Sequence, residues 1–325
     1  MSITRRGSSP LGGSKTHSLS KHLPALVVVA VALATILSHV WTSPHHPDED
    51  QYTWSAAHYG KMVIAGDFAQ KGTDVFRDPG WDPSSYWGRS MGTRAVLALG
   101  LATPWAEAPK LPYMYGNPAL EGPGARLDRG SLVALRLLAV LCAVVGAGLL
   151  AWRLGWVGAA AVALVLALPH NAENFARAWA EGPLLLAFGL TAAAYGSPWF
   201  PFVLGAASTV KFTAVGLWPL VLIRKAHHWR SRLLALIATV ATWVLLTPPS
   251  WYRVGPLLLV SLGSTRVTEY RGGQASDGGT LFLPSRYFWP LELGLLLVAF
   301  ALVARRLRGE PLPGRLSKGL AVPEP

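Results

Sequence analysis

Apolar and polar positions fall in long blocks along the chain. Leu23 to Trp41 is a run of about 19 uncharged, mostly apolar residues, the length that crosses a hydrocarbon core of roughly 30 Å as a helix. Further apolar blocks lie at about 131–152, 155–169, 182–198, 199–223, 233–249 and 290–304. Between the first and second blocks is a polar stretch rich in Pro and Gly, residues 43–130, which holds 10 of the 17 acids. Residues 1–22 are polar, rich in Ser and Gly, and carry Arg5, Arg6, Lys15 and Lys21, so a disordered tail is expected there. A cleaved signal peptide also begins basic and continues apolar, but this run is long and lacks a small-x-small site at its end.

These blocks predict an all-α integral membrane protein. Basic clusters fix its topology: Arg153, then Arg224, Lys225, Arg230 and Arg232, then Arg305, Arg306 and Arg308 mark the ends of apolar blocks. If 199–223 were one span, the second and third clusters would lie outside, against the positive-inside bias. A hairpin of two short helices turning near Lys211 returns every cluster to the cytoplasm. The expected topology is therefore about eight transmembrane helices with both termini cytoplasmic. It places 14 basic residues inside, with Glu310 and Glu324 the only acids there. Each hairpin arm has only about 12 residues, so its turn must be buried in protein or line a wet cavity. The expected organisation is a cytoplasmic tail at 1–22, a transmembrane domain at 23–304 with 43–130 as its first extracytoplasmic loop, and a second cytoplasmic tail at 305–325.

Composition agrees with this class. The chain is 51% hydrophobic and 14% charged, unusual for a soluble enzyme. The net charge of +12 does not indicate nucleic acid, because Lys and Arg sit in short clusters between apolar blocks rather than along one polar face. Cys142 is the only cysteine, which excludes an intramolecular disulfide. Many of the 14 Trp lie near the ends of apolar blocks, as expected at headgroup level.

Candidate chemistry concentrates where the first loop meets the membrane. Asp48, Glu49 and Asp50 follow Pro47, and Tyr52, Ala56, Tyr59 and Val63 form an apolar stripe suited to a helix lying on the membrane surface. Asp48 as an N-cap with Gln51 as its capping-box partner explains one acid well and the other two only through the helix dipole. A carboxylate at the membrane face also suits a general base acting on an acceptor hydroxyl. His45 and His46 beside the acid-x-acid spacing raise a divalent metal as an alternative, although that spacing is common. Arg177 and Glu181, four apart, read either as a local helix pair or as part of a cavity shared with the first acids. Lys211 is a lone ammonium in about 25 otherwise uncharged residues, which requires a turn, a partner, a polar cavity or snorkelling. Arg286, set among aromatics just outside the last block, suits phosphate, headgroup or aromatic-belt contact. His58, Arg89 and Arg136 are weaker candidates.

In order, the single helix, the loop opening with PDEDQYTWSAAHYGKMVIAGDF, then RLLAVLCAVVGAGLL, NFARAWAEGPLLLAFGL and GAASTVKFTAVGLWPLVLI resemble the GT-C membrane glycosyltransferases. Over roughly residues 24–225 the chain is most similar to a short member of the protein O-mannosyltransferase and aminoarabinose-transferase branch. That branch carries an Asp-Glu pair, a Tyr three residues after the Glu and a downstream Gly-Asp, and Asp48, Glu49, Tyr52, Gly66 and Asp67 stand in those places. Its His-Pro-Pro element is absent, and DPGWDPSSYWGRSMG stands in roughly its place. The resemblance implies a GT-C-like bundle with amphipathic helices in the first outer loop. It also implies transfer of a sugar, with inversion, from a polyprenyl-phosphate-type lipid carrier to an unknown acceptor hydroxyl or amine at the extracytoplasmic face. Asp48 is then expected as base with Glu49 beside it. Glu181 stands where the branch commonly has Asp, and Lys211, joined by Arg286, would hold the departing phosphate. Membrane lipid surrounds the domain, no cofactor is required, and no nucleic acid takes part. The competing classes are a multi-pass transporter or lipid flippase, whose charges would line a path open from both sides, and a structural membrane protein.

Overall fold

The computed structural model describes residues 16–66, 91–111, 123–168, 170–222 and 229–247, and in these the regular structure is helical with no strand. The expected last block at 290–304, both chain ends, Asp67, Arg89, Arg286 and the Arg305–Arg308 cluster lie outside the described residues.

The helices are α1 (Thr16–Ile36), α2 (His39–Thr42), α3 (Pro47–Ala65), α4 (Met91–Leu101), α5 (Arg129–Leu154), α6 (Trp156–Ala167), α7 (Asn171–Ala176), α8 (Glu181–Ala194), α9 (Phe200–Val210), α10 (Pro219–Leu222) and α11 (Trp229–Leu245). Two stretches are long and apolar enough to cross a membrane, His22–Thr42 and Arg129–Leu154. At a 1.5 Å rise per residue α5 runs ~39 Å. The blocks at 155–169 and 182–198 yield shorter helices, α6 and α8, of 12 and 14 residues, below the roughly 20 that span a bilayer perpendicularly. Apolar blocks report composition; helix ends are set by Gly155, Leu168 and Tyr195, whose backbones leave the helical region.

Helix α5 is the axis of the molecule. Asp128 caps its start, the carboxylate accepting from the amides of Gly130 at 2.8 Å and Ser131 at 3.0 Å. Val28, Ala32 and Ile36 of α1 pack with Val140, Ala143 and Ala147 of α5 and Val162 and Leu166 of α6 in the main apolar cluster. Against α8 the approach is backbone to backbone. A β-carbon at Gly146 would run into the backbone of Leu185, one at Gly182 into the carbonyl of Ala139, and one at Gly189 into the carbonyl of Gly146. Small residues at such spacing let helices close on one another where no water drives them together. At the far end, Arg153 donates to the carbonyls of Ala192 at 3.2 Å and Tyr195 at 3.1 Å, satisfying orphan acceptors at the end of α8. Trp152, Trp156 and Trp199 are exposed around this end, and Trp41 and Trp105 are exposed toward the other.

The block at 199–223 is broken, as the hairpin expectation requires, but its second arm is tighter. Helix α9 stops at Val210, Lys211 is extended at φ −151° and ψ 136°, and Phe212–Leu217 forms a 3-10 turn before the single turn of α10. The Trp218 indole donates to the Ser208 hydroxyl at 2.8 Å, so the chain turns back on α9. Pro219, with no N–H to give, suits the first position of the next helix.

The expected surface-lying stripe of α3 differs too. Tyr52 and Ala56 pack with Leu97 of α4, Leu135 of α5 and Ala178, while Val63 and Ile64 near the helix end expose their apolar side chains. The polar first loop is thus docked by its initial helix on the bundle, which positions its acids.

Substituting Gly146 by Leu forces backbone apart at the α5–α8 contact, where no side chain can yield. Thermal unfolding of the detergent-solubilised chain should show a loss of more than about 3 kcal/mol, beyond ordinary overpacking. Gly148→Ala, which meets only the Val29 side chain, should be close to neutral.

Candidate functional site

The end of the bundle where α3 docks is organised by one buried ion pair. Pro47 opens α3, and the residue before it, His46, closes the first turn: its Nδ1 accepts the amide of Asp48 at 3.1 Å, while Glu49 Oε2 accepts the amide of His46 at 3.1 Å. This is a reciprocal cap of the capping-box kind, set two residues earlier than the expected Asp48/Gln51 pair. Proline at the first helical position explains the shift, since it fixes the start of the helix at residue 47.

Glu49 is fully buried. Its Oε1 accepts from Arg136 Nε at 2.8 Å and from the Ala178 amide at 2.9 Å, and its Oε2 also accepts from Arg136 Nη2 at 2.7 Å. Arg136, 2% exposed, donates its remaining N–H groups to the carbonyls of Val40 at 3.0 Å, Ser43 at 2.9 Å and Pro44 at 2.9 Å. A guanidinium has five donors and a carboxylate about four acceptor sites, and all are used. Burial alone would push the Glu49 carboxyl up. The Arg136 hydrogen bonds, the Ala178 amide, the Arg136 charge and the His46 amide outweigh it and hold the group below the usual glutamate range.

Asp50 is also buried, with Oδ1 shared between His45 Nε2 at 2.8 Å and the Leu127 amide at 2.8 Å. It ties the start of α3 to the segment entering α5. Asp48 is the exposed member of the triplet: its side chain is 36% accessible, and Oδ2 lies 3.8 Å from His46 Nδ1. The His46 ring stands edge-on to Trp179 at 5.1 Å between centroids. Arg177 lies over the same indole at 4.9 Å and pairs with Glu173 at 2.5 Å. The expected alternative partner of Arg177, Glu181, is elsewhere, because α7 ends at Ala176 and a series of bends carries 177–180 out of the helix.

Glu181, the first residue of α8, meets Lys211 at the break in α9, Nζ to Oε1 at 2.5 Å. The pair is part-exposed, 37% for the lysine side chain and 27% for the glutamate. Helix α4 seats this corner: Thr93 donates to the Val210 carbonyl at 2.9 Å, and Gly92 sits so close to Thr209 and Val210 that a β-carbon would strike them. Tyr52 of α3 lies in the neighbourhood of Lys211. Arg94 of α4 is buried and donates to Ser55 of α3 at 3.0 Å.

The structure thus brings Asp48, Glu49, Glu181 and Lys211 to one end of the bundle through Ala178 and Tyr52; Arg286 lies outside the described residues. Arg136, a weaker sequence candidate, turns out to be the partner of Glu49. Its signal was the same as that of Lys211, a lone charge in an apolar block. His58 lies against Trp54, ring centroids 4.1 Å apart and planes tilted by 51°, and burial together with the Lys61 charge lowers its pKa from the ordinary histidine value. Among the described residues no group of three or more His, Cys, Asp or Glu is placed to hold a metal ion. Comparison with protein-family models, curated proteins and solved structures finds no match.

Because the folded pKa of Glu49 is depressed, its contribution to stability is full above the unfolded value near 4.5 and fades as pH falls through the folded value. Melting temperature against pH should therefore drop below about pH 4.5, and Glu49→Gln should flatten that drop. Arg136→Met leaves a buried, unpaired carboxylate and should cost about 3–5 kcal/mol; the double variant Glu49→Gln/Arg136→Met should recover part of it.

Proposed function

We propose that the chain is a multi-pass membrane glycosyltransferase of the GT-C type, moving a sugar with inversion from a polyprenyl-phosphate-type carrier to an acceptor hydroxyl or amine at the extracytoplasmic face. The observation that carries this reading is the convergence at one end of the bundle of two part-exposed groups, the Asp48 carboxylate and the Lys211 ammonium, from segments 163 positions apart. Base and phosphate-holding cation are the two groups that such a transfer needs from the protein. Two helices of spanning length and exposed Trp at both ends of the bundle support a membrane setting. Both termini lie in the cytoplasm of a cell-membrane protein of about eight crossings in this reading.

Asp48 removes the acceptor proton. Its carboxylate is the one of the triplet that faces outward, and the cap formed by His46 and Glu49 fixes the turn that carries it. Glu49 is a positioning residue, since every acceptor site it has is taken by Arg136, Ala178 and His46. Lys211 holds the carrier phosphate as negative charge grows on it. No metal takes part in this scheme.

In membranes containing the chain, Asp48→Asn should lower sugar transfer from a panel of radiolabelled polyprenyl-linked sugars by about 10²-fold or more, with unchanged thermal stability. Full activity in that variant would remove Asp48 from the role of base. The break in α9 also favours a second reading, a transporter, because discontinuous helices bearing charge line transport paths. Lys211→Cys labelled with impermeant thiol reagents should react from the outer side only; labelling from both sides would favour transport.

A further inference from the structure

The Lys211 ammonium, the cation assigned above to the carrier phosphate, is already in contact with an anion. Glu181 Oε1 lies 2.5 Å from Nζ, and it supplies the single hydrogen bond that the described residues give this ammonium. The pair differs from the other inter-helix ion pair of this end. Glu49 and Arg136 are fully buried and saturated, whereas Lys211 and Glu181 are 37% and 27% exposed, with two of three ammonium donors uncommitted among the described residues. A contact that is singly bonded and reached by solvent is one that another anion can replace at small cost.

A phosphate seated on Lys211 would stand beside the Glu181 carboxylate. Two anions a few ångströms apart on one ammonium repel strongly in an environment drier than bulk water, so both cannot hold the cation fully. The carboxylate has room to leave: it is the first residue of α8, part-exposed, with no second partner among the described residues. The lysine is held more firmly, because the α9 break that presents it is clamped by Thr93 and Gly92 of α4.

We propose that Glu181 is an exchangeable stand-in for the donor phosphate. In the empty site it neutralises Lys211; the phosphodiester of the lipid-linked sugar donor displaces it on binding, and once transfer has broken the sugar–phosphate bond it competes for Lys211 with the carrier phosphomonoester that is left. The proposal rests on the reading of Lys211 as phosphate holder. It makes Glu181 a positioning and release residue that weakens donor binding, opposite to the effect expected of a donor-binding acid.

The test is binding of citronellyl phosphate, a short isoprenyl monophosphate, to the full chain in detergent at fixed low ionic strength, by isothermal titration calorimetry. Glu181→Gln should tighten binding by about tenfold, corresponding to 1.4 kcal/mol, and Glu181→Asp, one methylene shorter, should tighten it less. Glu107→Gln, an exposed acid of the first polar loop that forms no ion pair with Lys211, should leave binding unchanged, and Lys211→Gln should abolish it. Melting temperatures of all variants establish that they fold. If the wild type binds through Lys211 but both Glu181 variants bind equally or more weakly, or if Glu107→Gln tightens binding as much, the exchange is overturned while Lys211 keeps its role. If Lys211→Gln binds as the wild type does, or no form binds, the phosphate site itself falls and this inference with it.

Discussion

The end of the bundle where α3 docks depends on Glu49 and Arg136 being buried together. Removing two charges from water costs several kcal/mol per ion, and their attraction offsets this only when the remaining donors and acceptors are also satisfied. Here they are, and the partners come from separate places: the carbonyls of Val40, Ser43 and Pro44, the amide of His46 and the amide of Ala178. One ion pair thereby fixes the exit from the first apolar helix, the start of α3, the axis helix α5 and the entrance to α8. None of these can shift alone without stranding a buried charge. This rigidity is what allows Asp48, next in sequence to Glu49, to present its carboxylate to the outside in a defined place.

The position of Glu181 follows from the same frame. Ala178 is bonded to Glu49, and Gly182 lies against the Ala139 carbonyl of α5. Arg136 and Ala139 are three residues apart on one helix, ~4.5 Å along its axis. The segment 178–182 is therefore pinned twice within about one turn of α5, and Glu181 falls between the pins. Lys211 is delivered to it by a different device, the premature end of α9. The carbonyl of Val210 is met by Thr93 rather than by a continuing helix, so α4 of the first loop completes the membrane corner.

The apolar blocks carried the parts of this arrangement that depend on composition: α5 and a break near Lys211 are where hydropathy and charge place them, whereas α1 begins at Thr16, inside the stretch 1–22 expected to be disordered, and ends at Ile36. They did not carry helix ends. The blocks at 155–169 and 182–198 read as spans, yet Gly155, Leu168 and Tyr195 stop the helices at 12 and 14 residues. Pairing was left open for the same reason. Arg177 and Glu181 sit at helical spacing, but the chain is not helical between them, so the arginine turns back to Glu173 and leaves Glu181 for Lys211. The cap at His46 was missed because a histidine ring is not among the preferred N-cap side chains, although Pro47 was visible as a first-turn residue. Arg136 was legible by the rule that singled out Lys211, a solitary charge in an apolar block; what no spacing could supply was its partner, 87 positions away.

The two ion pairs show how one end of a bundle can hold charge for opposite purposes. A pair that uses every donor and acceptor and excludes water has no reason to open, because any substitute partner would have to replace several bonds at once. A pair with one bond and part of its surface in solvent is at the mercy of whatever anion arrives. Glu49–Arg136 is of the first kind and Glu181–Lys211 of the second. As letters in the sequence Arg136 and Lys211 carried the same signal, a lone charge in apolar surroundings. The distinction lies in the number of partners and in access to water, and it separates the charge that shapes this site from the charge that the site has free to use.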